Sequence, residues 1–181
     1  MYPVVFLDTE TTGLDPETST ILEIAMIRRE GDGTESRFHT RIQPTKAELE
    51  KAHPKALEIN GYAANSQLWD SAPPMRIAAP MMANFLSGAK TLCGHNVSFD
   101  ETMIKASLKR HGVRRKIPYH KIDTVTLAYE HLHRVGLQRM GLDRIRSFLG
   151  WSAEGAHTAM KDTEDCKRLF DLTWRMSPWK R

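Results

Sequence analysis

The order of segments along the chain predicts an α/β fold, a five-stranded mixed sheet with helices on both faces. Three observations predict it. A short apolar run from Tyr2 to Leu7 stops at an acid, as a buried strand does at the rim of a sheet. Two further runs, 21–27 and 35–42, flank Gly31-Asp32-Gly33, a tight hairpin signal. Beyond them, strand-like and helix-like segments alternate. A meander followed by alternation builds a mixed sheet covered on both sides.

The elements follow in order. In the second arm of the hairpin, Phe38, Thr40 and Ile42 share one face. A polar helical segment starts at Thr45 and is interrupted by Pro54. Pro73-Pro74 opens a helix over 75–86, with an apolar stripe of Ile77, Met81, Met82, Phe85 and Leu86, and Gly88 ends it. Those methionines read as core. Thr91-Leu92-Cys93 is the fourth strand, and a helix follows over 98–111. Residues 119–122 form the fifth strand, and Asp123 caps the helix that begins at Thr124. Helices over 141–149 and 158–174 close the fold, and the final SPWKR reads as a frayed tail.

Composition narrows the classes. The chain has 181 residues, 40% hydrophobic and 27% charged, which suits one globular domain over 1–181 with a real core. No run is long enough to span a bilayer, and the acid at position 8 breaks any secretory leader, so a cytoplasmic protein is expected. Cys93 and Cys166 are the only cysteines and read as buried free thiols. The net charge of +4 permits nucleic acid as a partner without demanding it. Lys109, Arg110, Arg114, Arg115 and Lys116 cluster around His111. That cluster reads equally as a solvated helix end or as a phosphate-contacting patch.

The chemistry rests on carboxylates. Asp8 and Glu10 are two apart on an extended segment, so both point to the same side. Like charges are costly to bring together unless cations sit among them. Asp100, near a helix start, would alone read as a dipole-stabilised acid. Asp162, inside a helix with His157 five residues earlier near its beginning, is also a weak signal by itself.

The ordered combination is specific. DTETTG at 8–13, LEIA at 22–25, ALEINGY at 56–62, GHNVSFD at 94–100, IDT at 122–124 and GAHTAMKDTED at 155–165 cover nearly the whole chain. Together they resemble the DEDDh branch of the 3′–5′ exonucleases, the group that includes the proofreading epsilon subunit of bacterial DNA polymerase III. The resemblance implies an RNase H-like fold, with Asp8 and Glu10 on its central first strand. It implies that Asp8, Glu10, Asp100 and Asp162 hold two divalent cations, Mg²⁺ or Mn²⁺, with Asp8 bridging them. It makes His157 the general base toward the attacking water, and an imidazole titrating near neutrality suits that task. Two hard cations roughly 3.5–4 Å apart can activate water and neutralise the leaving alkoxide.

The resemblance also points to substrate contacts. Thr9, Thr11 and Thr12 follow the first acid, and Ile59 and Asn60 wall the terminal nucleotide. Many relatives carry His-Gly where this chain has Asn60-Gly61. Phe99 either stacks under the terminal base or packs in the core. His95 and Asn96 shape the loop that holds Asp100. The implied partner is a nucleic acid with a free 3′ end, DNA ahead of RNA. An RNA-trimming enzyme and a non-catalytic binding module are the alternatives. Polymerase association stays open, and with no long C-terminal tail the expectation is a stand-alone domain.

Overall fold

A computed structural model describes residues 3–176 of the chain. Tyr2, at the head of the first apolar run, and the tail at 177–181 with Trp179 lie outside the described residues. Among the described residues five strands form one sheet: β1 (Val4–Thr11), β2 (Ile21–Arg29), β3 (Glu35–Arg41), β4 (Thr91–Gly94) and β5 (His120–Asp123). Their spatial order is β3-β2-β1-β4-β5. The β3-β2-β1 meander is antiparallel, while β1, β4 and β5 run parallel. The expected mixed sheet is therefore present, with β1 at its centre. The first strand runs further than expected, through both acids to Thr11.

The ladder between β1 and β4 covers only Val4–Phe6 against Thr91–Cys93. Beyond it the chain turns away at Gly94, where a Cβ would come within 3.2 Å of the Leu7 carbonyl oxygen. A side chain there would crowd Leu7 and Val97, so glycine suits the point where β4 keeps β5 and parts from β1. The acid-bearing half of β1 thus faces a gap at the carboxyl ends of the parallel strands, where open α/β sheets place their ligands.

Alternation along β1 divides the core. Val5 and Leu7 join the cluster under helices α4 (Met75–Leu86) and α5 (Val97–Arg110). Val4 and Phe6 pack instead against Cys166 and Phe170 of α8 (Ala159–Met176). Phe6 is fully buried and meets Phe170 edge-on at 5.3 Å between centroids. Burying such a ring is worth about 1.5–3 kcal/mol. A third cluster joins α8 to α6 (Thr124–Leu132) and α7 (Leu142–Leu149) through Ala128, Ile145 and Leu169. The two cysteines are free and buried.

Between β3 and α4 lie α1 (Lys46–Glu50), α2 (Pro54–Ile59) and α3 (Tyr62–Asn65), with Pro54 opening α2 rather than merely breaking a helix. Two expectations need correction. On α4, Met82 and Leu86 are buried, but Ile77 and Met81 are 45% and 48% exposed. The inward face is Met75, Ala78, Ala79, Met82, Ala83 and Leu86. Alanines let the helix approach the sheet, so larger side chains are displaced to its flank. On the last strand the register shifts by one, to His120–Asp123, so Tyr119 is an exposed loop residue.

Candidate active site

Strand β1 places Asp8 and Glu10 on its α8-facing side, continuing the alternation of Val4 and Phe6. Asp162 lies in the first turn of α8. One carboxylate oxygen from each of Asp8, Glu10 and Asp162 lies within 4.8 Å of the others. Asp100 enters from the first turn of α5, which starts sharply because Asn96 adopts a left-handed φ of 68°. The Thr9 hydroxyl donates to Asp100 Oδ1 at 2.7 Å. Asp100 is not among the three closest carboxylates, yet its charge is the strongest of those acting on Asp8.

Burial pushes Asp8 well above the usual carboxylate range, and the charges of Asp100, Asp162 and Glu10 push further. Glu10 is pushed up to about 8 by burial, then by Asp162, Glu23 and Asp100. Burial takes Asp100 to about 7, against the pull of the Thr9 hydrogen bonds. Asp162 is also raised by burial, while the neighbouring Arg146 charge holds it back. Acids gathered in one poorly solvated space are pushed toward their protonated forms unless cations take the protons' place. The donors are all oxygen, which suits hard divalent ions such as Mg²⁺ or Mn²⁺.

His157 stands in the turn just before α8 rather than within its first turn. Its backbone is left-handed, φ 62°, and its N–H donates to Asp162 Oδ1 at 3.3 Å. The side chain is 43% exposed, with Nε2 3.6 Å from Asp143 Oδ2. The structure thus brings Asp8, Glu10 and Asp162 together, with Asp100 joined to Thr9 and His157 joined to Asp162 through its backbone.

Arg146 was not anticipated. It is 1% exposed and donates to Asp162 Oδ1 at 2.5 Å, Asp165 Oδ2 at 2.7 Å and Asp143 Oδ1 at 2.9 Å. Oδ1 of Asp162 thus receives both Arg146 and the His157 N–H. Glu23 was also missed. It is 2% exposed, faces Glu10 across the ladder, and lies 2.6 Å from His39 Nε2. Its signal was available: a lone charge in the apolar run 21–27.

The expected substrate residues lie around the acids, with their hydroxyls committed elsewhere. Thr9 bonds Asp100, Thr11 donates to the Gly13 carbonyl, and Thr12 accepts from the Thr20 N–H. Asn60 is buried and donates to the Thr11 carbonyl at 3.0 Å, so it braces β1. Ile59 is 48% exposed and lines a cleft of about 460 Å³ with Leu14 and His53. Phe99 is half-buried against the α4–α5 core. Asp123 caps α6 through the Val125 N–H, as expected, and also receives the Asn96 N–H. His95 meets Thr124 Oγ1 at 3.0 Å and stays off the acids.

A family model described as "Exonuclease" matches residues 5–170. The chain belongs to this exonuclease family. Ribonuclease T of Actinobacillus pleuropneumoniae is 29% identical over 186 residues, spanning 93% of this chain and 82% of the relative. The PolC-type DNA polymerase III of Thermotoga maritima is 29% identical over 167 residues, 92% of this chain and 11% of the polymerase. In structure, the zinc-bound complex of E. coli exonuclease I with single-stranded DNA superposes with a TM-score of 0.81 at 19% identity. That match covers 99% of this chain and 42% of exonuclease I, and it shows the shared RNase H-like fold. The protein is accordingly a 3′–5′ exonuclease, a phosphodiester hydrolase, as its motifs led us to expect. Among the described residues no helix is long and apolar enough to cross a membrane.

Proposed function

We propose that residues 1–181 act as one exonuclease domain that removes nucleoside 5′-monophosphates stepwise from 3′ ends, with single-stranded DNA preferred. The observation that carries this reading is the convergence of Asp8, Glu10 and Asp162 within 4.8 Å beside the gap left by β4. Asp8, Glu10, Asp100 and Asp162 would hold two divalent cations, Mg²⁺ or Mn²⁺, which supply Lewis acidity and charge neutralisation at the scissile phosphate.

The chain's own residues do the rest. His157, exposed at the border of the acids, takes the proton of the attacking water on its ring nitrogen. The Asp143 carboxylate, 3.6 Å away, would stabilise that ring once protonated, and Arg146 holds Asp162 in place by pairing with it from α7. The cleft beside Gly13 receives the terminal nucleotide, with Leu14 and Ile59 against the base and Lys51 and Lys55 toward phosphate. Gly13 lines its inner wall, two residues beyond the Thr11 carbonyl that Asn60 holds. Two buried free thiols suit a cytoplasmic setting.

A second reading is favoured by one finding. The relative matched over 82% of its length is named a ribonuclease. Trimming of RNA 3′ ends is therefore the alternative, and the choice turns on contacts to a single 2′-hydroxyl. The likeness to PolC-type polymerases supports a polymerase partner more weakly, because the chain spans 11% of that relative. End-labelled DNA and RNA oligomers of one sequence, with free or blocked 3′ ends, test all of this in Mg²⁺, Mn²⁺ or chelator. The expected result is a ladder from free DNA 3′ ends that chelator abolishes. Faster RNA shortening selects the alternative, and shortening from blocked 3′ ends overturns both.

A further inference from the structure

We propose that a groove along α5 is the track for the strand upstream of the 3′ terminus. This rests on the exonuclease reading above and assigns to the basic stretch the phosphodiester backbone as its ligand. The groove has a volume of about 660 Å³ and begins at Glu101, the residue after Asp100. Lys105, Leu108 and Lys109 continue it at helical spacing along one face of α5. From Glu101 to Lys109 the helix rises about 12 Å. A stacked strand carries a phosphate roughly every 3.4 Å, so three or four would lie along this length.

The opposite wall is the loop that carries Arg114, Arg115 and Lys116. It is held in place by Val113 and Ile117, which pack against the α4–α5 core. The cations are therefore presented from an anchored segment. Their pairing is uneven. Glu101 at the inner end is neutralised by Lys105 at 2.7 Å and Lys121 at 2.9 Å. Arg110 donates to the Ser19 carbonyl and is occupied. Among the described residues, Lys109, Arg114, Arg115 and Lys116 make no ion pair, and all four are exposed. The groove therefore carries four exposed cations without an acidic partner among the described residues. A cationic channel that starts one residue from a carboxylate of the site fits a strand whose 3′ end lies in that site.

The test compares wild type with Arg114→Ala/Arg115→Ala/Lys116→Ala and with Lys109→Ala. Binding of a 5′-labelled 16-nucleotide strand is followed by anisotropy in chelator across a salt series. Hydrolysis of the 16-mer and of a dinucleotide is followed with Mn²⁺. Each phosphate contact contributes roughly 0.7 to the slope of log K against log salt. The triple variant should flatten that slope by about 2 and lose roughly tens-fold in 16-mer affinity at 0.15 M salt. Lys109→Ala should flatten it by roughly 0.7. Dinucleotide hydrolysis should be unchanged in both. An unchanged slope, or equal losses on dinucleotide and 16-mer, overturns the track. A wild type that hydrolyses neither substrate overturns the exonuclease reading, while its salt-dependent binding still reports on the groove.

Discussion

Asp8 and Glu10 stand on the central strand of the sheet, hydrogen-bonded along β2, whereas His157 stands on a turn with its ring 43% exposed. The acids must be held together against their own repulsion, and a paired strand supplies that rigidity. The proposed base faces water and needs no such frame. Its cost is of another kind: a left-handed backbone, unfavourable by roughly 1–2 kcal/mol for a residue with a Cβ. The hydrogen bond from its own N–H to Asp162 helps to maintain that turn. One side of the site is therefore strained by charge and the other by backbone geometry, and the two strains respond to different substitutions.

The largest effect should come from Asp8→Asn. Loss of a cation-holding carboxylate should lower kcat/KM on the order of 10³-fold or more. The same change removes the cost of burying an ionisable acid beside three others, so in chelator the variant should melt at or above the wild-type temperature. A marked drop in melting temperature would show that charge is not what strains the strand. His157→Ala should lower kcat by roughly 10²- to 10⁴-fold. His157→Gly should be equally slow but more stable than the alanine variant by about 1 kcal/mol, because glycine accepts the left-handed turn. Denaturant unfolding of the two variants measures that difference.

Arg146→Met breaks the link between the two sides. It leaves Asp162 without its counter-charge and the buried Asp165 with Lys161 alone, which should cost about 3–5 kcal/mol. In a chain of this size the melting temperature should fall by roughly 10 °C. The mildest intervention is a change of pH, which alters no residue. Glu10 near 8 and Asp100 near 7 lie above their unfolded values, so the metal-free folded protein holds extra protons in between. Their contribution to stability is therefore full below about pH 4 and is lost as pH rises toward 8. Melting between pH 5 and 8 should show chelated protein falling with pH, while Mn²⁺ raises the melting temperature most at pH 8. A metal-induced shift independent of pH would contradict the buried, protonated acids.

Much of this was legible in the chain. The hairpin around Gly31-Asp32-Gly33, the parallel strands and the capping Asp123 each carry a local signal that tertiary packing did not overrule. The acids were legible because they interrupt apolar segments or sit in recurrent strings. Arg146 was not, since it is two residues from the exposed Arg144 on a short charged helix. Only α8, laid across α7 with Asp162 and Asp165, decides which arginine is buried. The inward face of α4 was misread for a related reason. Close approach to the sheet favours alanine, and hydrophobicity alone points to the bulkier Ile77 and Met81.

The early end of the β1–β4 ladder carries one more consequence. Val4–Phe6 are clamped between two strands, while Asp8–Thr11 have β2 as their one strand partner. Amide protons along this single strand should therefore exchange with deuterium at sharply different speeds, slowest toward its start and fastest where the carboxylates begin. A bound terminal nucleotide lying in the gap would erase that gradient by sheltering the open edge.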